Sequence, residues 1–230
     1  MLGIAGACGL LAWATMAHPW QVVDRHPIIT EVLYRVPTFN GDANGDGERH
    51  PTGDEFIELV NPWDVPIQLA GYELTDRNPA DMGRLRFVFP ALELGPGEVV
   101  VVFNGLEQSW VGPVGDGQRA PPGVHSRFGG SWVFTMDNGS EMVGLGNEGD
   151  WVLLRSPRGE AVSCVVWGRP GVEPPVRGER LERVPETRAS SVQRDPVTGR
   201  FEAHPPIGEA RYSPGLWEAG EGFDPSRIAR

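Results

Sequence analysis

Asp54-Glu55-Phe56-Ile57-Glu58-Leu59-Val60-Asn61 is the stretch that decides the fold. Extended, it places Ile57 and Leu59 on one face and Phe56, Glu58 and Val60 on the other, the two-residue period of a β-strand. Working outward, residues 28–34 alternate in part, residues 68–75 are broken at Gly71, and residues 85–89 stop at Pro90. Residues 98–103 follow the turn Gly95-Pro96-Gly97 as an unbroken apolar run, the pattern of a strand covered on both faces. Residues 151–154 and 161–167 flank a hairpin turn at 156–159. No segment sustains a helical period, and no repeat of 20–50 residues is present. The expected fold is all-β, a sandwich.

Composition agrees. Gly 31 and Pro 22 in a chain of 230 residues, beside 40% apolar residues, fit many short strands joined by tight turns. The net charge of −11 is uneven: residues 1–168 hold 21 acids and 10 arginines, residues 169–230 hold 10 of each. Such a balance excludes a nucleic-acid partner, whose phosphates need a basic face. Every basic residue is Arg, so lysine Schiff-base chemistry is excluded too.

Residues 1–17 carry no charged side chain and end on Thr15-Met16-Ala17. They are short for a membrane span, which needs about 20 residues, and fit a signal peptide or an uncleaved N-terminal anchor. The chain is therefore expected to be secreted or held in the cell envelope, touching a membrane only through this segment if it is uncleaved. Cleavage would remove Cys8 and leave Cys164, in an apolar run, as a buried inert thiol. Residues 105–130, rich in Gly and Pro, read as a mobile excursion or a binding loop. Beyond Arg169, weaker strand candidates at 179–184 and 200–203 suggest an extension packed on the sandwich through residue 217, with a frayed tail over 218–230.

The order of these blocks resembles the lamin tail domain as it occurs in bacterial secreted proteins. It starts with Ile29-Thr30-Glu31-Val32 and passes through the 54–61 stretch to Leu69-Ala70-Gly71-Tyr72-Glu73-Leu74-Thr75-Asp76. Residues 87–90 and Leu94-Gly95-Pro96-Gly97 follow, and Leu145-Gly146-Asn147-Glu148-Gly149-Asp150 leads into a last hairpin. The resemblance spans residues 27–168, and Tyr212-Ser213-Pro214-Gly215 is similar to an extension that follows such domains in bacteria. It implies an immunoglobulin-like sandwich used for binding and attachment, with no catalytic residues in the module. The insertion at 105–130 departs from the pattern.

Local chemistry is strongest in Gly41-Asp42-Ala43-Asn44-Gly45-Asp46-Gly47-Glu48. Asp42, Asn44 and Asp46 stand at positions 1, 3 and 5 of an EF-hand-like loop, Gly47 at 6 and the Glu48 carbonyl at 7, as a hard cation such as calcium requires. Position 12 is Gly53 instead of Glu, so a variant loop would close on Asp54 or Glu55. A second reading stays open: an Asx-rich turn with no ion, since Asn-Gly and Asp-Gly are turn signals by themselves. Bound calcium would act as a structural cofactor.

Catalytic signals are weak. The five His (18, 26, 50, 125, 204) show no metal spacing, no Gly-x-Ser-x-Gly elbow occurs, and Gly144 to Gly149 lacks the Lys of a phosphate loop. Glu31 and Glu58 could meet across paired strands like a glycosidase pair, but the wet face of a sheet explains them more simply. Trp63, Trp110 and Trp132 read as loop residues that could stack on sugars, whereas Trp151 and Trp167 read as core. The expected function is a non-catalytic binding or structural module whose partner is a protein or a cell-surface polysaccharide. A carbohydrate-binding sandwich, or a small secreted hydrolase with its site in 105–130, are the alternatives.

Overall fold

The computed structural model describes residues 25–77, 85–171 and 173–228; the leader expected at 1–17, with Cys8, lies outside them. In chain order the strands are β1 (Ile28–Leu33), β2 (Phe56–Val60), β3 (Ile67–Gln68), β4 (Glu73–Asp76), β5 (Arg86–Val88), β6 (Glu93–Leu94) and β7 (Val99–Phe103). They continue with β8 (Trp132–Thr135), β9 (Gly149–Arg155), β10 (Ala161–Gly168), β11 (Leu181–Arg183), β12 (Val192–Arg194) and β13 (Phe201–Ala203). Among the described residues there is no α-helix.

A six-stranded sheet, β13-β12-β1-β2-β7-β8, faces a five-stranded one, β11-β10-β9-β4-β5. Ile57 and Leu59 of β2 point into the core between them, with Val100, Val102, Leu74, Val152, Leu154 and Val165. Trp167 closes that core by stacking on Tyr34, ring centroids 4.4 Å apart and planes 11° from parallel. The other β2 face is buried as well: Phe56 and Val60 join Val99, Val101, Phe103, Phe128, Val133 and Trp217 in a second apolar cluster. A third cluster, Trp151, Leu153, Cys164 and Val166, lies on the outer face of the five-stranded sheet. Burial raises the Cys164 thiol to about 12, so it stays protonated.

Four sequence expectations change. Residues 105–130 are no loose excursion. β7 and β8 run parallel, so the chain must cross over between them, and this segment is the crossover. It lays Trp110 and Phe128 on the outer face of the six-stranded sheet and pairs Gly115 with Phe134 along the edge of β8. Trp132 belongs to β8, not to a loop. The extension does more than pack on the sandwich: it adds β11 to one sheet and β12 and β13 to the other. Nor does the chain fray at Trp217, which is 3% exposed, for Phe223 meets its ring edge-on at 5.2 Å and Ile228 packs on the same cluster.

Candidate functional site

The acidic loop joins β1 to β2, and two left-handed glycines, Gly45 (φ 72°) and Gly47 (φ 99°), fold it back on itself. The Asp46 N–H is shared by Asp42 Oδ1 at 3.0 Å and Asn44 Oδ1 at 2.9 Å, which draws these oxygens to one point. Gly47 N–H donates to Asp42 Oδ2 at 2.9 Å, and Glu48 N–H to Asp46 Oδ1 at 2.9 Å. The insertion takes part: Ser109 N–H donates to Asp46 Oδ2 at 3.0 Å and Arg127 donates to the Gly45 carbonyl. Burial pulls the Asp46 carboxyl upward, but the Ser109 N–H, Asn44, the Glu48 N–H and the Arg127 charge outweigh it and hold it below its ordinary value.

The six candidate cation ligands therefore divide. Asp42 and Asn44 meet on the Asp46 N–H, the Asp46 carboxylate turns to the Glu48 and Ser109 N–H groups, and the Glu48 side chain stays exposed. Neither acid at the start of β2 closes the loop with a free carboxylate. Asp54, fully buried, accepts N–H groups from Ala43 (2.7 Å) and Asn44 (3.0 Å) on Oδ1 and from His50 (2.6 Å) on Oδ2. Glu55 turns the opposite way, as the next residue of an extended chain must, and accepts the Leu145 N–H at 2.9 Å. Among the described residues no group of three or more His, Cys, Asp or Glu side chains is arranged to hold a metal. The two oxygens that do converge, Asp42 Oδ1 and Asn44 Oδ1, meet on the Asp46 N–H, while both Asp46 carboxylate oxygens are taken by the Glu48 and Ser109 N–H groups.

Sequence reasoning missed the surroundings of Glu55. Together with Asp76, Arg77, Glu141 and Asn147 it lines a cleft of about 240 Å³. Burial, and then the charges of Asp150 and Asp76, push its carboxyl well above the ordinary value despite the Leu145 N–H. Asp150 is also raised by burial, to about 6, against the N–H groups of Gly146 and Trp151 and the charge of Arg77. The signal was present in the sequence, since each acid sits at the end of a strand block; which ends would meet was not.

The three tryptophans form no common platform. Trp63 donates to the His26 carbonyl at 2.8 Å beneath the Arg25 guanidinium. Trp110 lies tilted on Phe103 at 5.3 Å, and Trp132 donates to Glu98 at 3.0 Å. All three are half-buried, and among the described residues no ring contact joins any two of them. Glu31 and Glu58 overturn the wet-face expectation: they stand opposite each other across β1 and β2, both 0% exposed, beneath residues 213–215.

Two facing sheets around one apolar core define an immunoglobulin-like β-sandwich. The Lamin Tail Domain family matches residues 24–169, more than half of the chain, and the chain belongs to that family. The family's immunoglobulin-like module is in general non-catalytic. No curated protein matches the chain.

Proposed function

We propose that this chain is a binding and scaffolding module that works outside the cytoplasm, engages a cell-surface protein or polysaccharide, and is stiffened by calcium at the 42–48 loop. The observation that carries the reading is how the buried carboxylates are used. Asp54, Glu31 and Glu58 each accept from backbone amides or hydroxyls, which is the wiring of a scaffold. The alternate spacing of Asp42, Asn44 and Asp46 supports the calcium role, and the uncharged first seventeen residues support export. Purified chain incubated with esterase, phosphatase, nuclease and glycosidase substrates should release no product above buffer. Turnover that disappears in a Glu55→Gln variant would overturn the scaffold reading and move the function to the Glu55 cleft.

A further inference from the structure

The outer face of the six-stranded sheet holds a polar centre inside an apolar rim. A β-bulge after Ile29 makes Thr30 the extra residue and brings Glu31 opposite Glu58. Thr30 Oγ1 donates to Glu58 Oε1 at 2.6 Å, and Ser191 Oγ donates to Glu31 Oε1 at 2.6 Å. Residues 212–217 close over the pair: Ser213 N–H donates to Glu31 Oε1 at 3.0 Å and Gly215 N–H to Glu58 Oε2 at 2.7 Å. Tyr212 Oη donates to the Asn40 carbonyl at 2.6 Å, and Trp217 Nε1 to the Arg194 carbonyl at 2.7 Å. Among the described residues no cation forms an ion pair with either glutamate, and the Arg194 guanidinium is turned away to Glu182.

Counting hydrogens shows what holds this arrangement. Ser213 Oγ lies 3.1 Å from Glu31 Oε2, 2.7 Å from His204 Nε2 and 3.0 Å from Gln193 Nε2. Gln193 donates, so the hydroxyl must satisfy both Glu31 and His204 with the single hydrogen it owns. The His204 Nδ1 contact at 2.5 Å is to the Pro205 carbonyl, which only an N–H can satisfy, leaving Nε2 of a neutral ring as an acceptor. Ser213 then donates to His204, and the hydrogen between Ser213 and Glu31 has to come from Glu31. Burial keeps His204 below its ordinary value, which places the extra proton on the carboxyl side.

We propose that residues 212–217 are a strap held on the sheet by one buried proton, and that losing this proton above neutral pH releases the strap and uncovers Val60, Val99 and Val101. Two facing carboxylates without a counter-ion cannot both ionise under an apolar cover. Burial, and the repulsion that a second ionisation would bring, raise this coupled pair above the ordinary carboxylate range, against the bonds that Ser191 and the Ser213 N–H make to Glu31 and Thr30 and the Gly215 N–H make to Glu58. Both folded values lie above the ordinary 4.5, so the stabilisation is complete below about pH 4.5 and is lost as pH rises through about 7 to 8.

Hydrogen–deuterium exchange of the full chain at about pH 6 and about pH 9, corrected for the intrinsic pH dependence of exchange, tests this. Protection over 212–217 should fall at least about tenfold at the higher pH while β9 and β10 keep theirs. In Glu31→Gln the amide donates to Ser213 permanently, so the strap should stay protected at both pH values. Equal protection of the wild-type strap at the two pH values overturns the proposal, and does so whether or not the variant folds. An undiminished fall in a folded Glu31→Gln variant overturns it as well.

Discussion

Asp54 organises the acidic loop from its inner side. Its two oxygens gather three N–H groups, from Ala43, Asn44 and His50, that have no other acceptor within the turn. Asp54→Ala would leave those donors facing a buried gap, at a cost of about 3 kcal/mol, whereas Asp54→Asn, which keeps one acceptor, should lose roughly half as much. Denaturant unfolding of the two variants measures this, and a loss below about 1 kcal/mol for Asp54→Ala would refute the organising role. At this scale the sequence was only partly readable. Asp42, Asn44 and Asp46 could be recognised as oxygen donors because their spacing is local. Asp54 and Glu55 looked interchangeable, and only the strand direction after the loop separates an inward anchor from a residue that lines the cleft beside Asp76.

Elements were legible where a strand carried its own pattern. The two faces of β2, the break before β4 at Gly71, and the β9–β10 hairpin all follow from alternation and turn residues. β8 and β12 were missed, since each is short and earns its strand geometry from a partner far away in sequence: β8 from a parallel crossover, β12 from β1. The same dependence hid the burial of Glu31 and Glu58, because an alternating polar residue marks a wet face only when nothing later in the chain covers it. For the acidic loop the prediction is thermal: calcium should raise the melting temperature above that in chelator, and Asp42→Ala or Asp46→Ala should shrink the difference. At free calcium of 100 times Kd the gain is about 2.7 kcal/mol. Superimposable melts would leave the loop as a turn held by its own amides. Because Ser109 and Arg127 of the crossover also grip this loop, the ion's effect should extend to protection of residues 108–128.

For the whole molecule, the part matched by the family is not a finished sheet pair. Without β11, β12 and β13 the edges of β1 and β10 would open, and Glu31 and Glu58 would lose their cover. A chain ending at Gly168 should therefore aggregate or melt far below the full-length protein, while a soluble monomer with an unchanged melting temperature would show that the extension is dispensable. Completion by the extension also fixes how the molecule carries load. β1, the first strand, lies between β2 and β12 and is antiparallel to both. Tension applied through the segment ahead of Arg25 runs along β1, across hydrogen bonds that stand perpendicular to the pull on both sides. A pull directed along β1 would therefore load both ladders in shear instead of unzipping them one bond at a time.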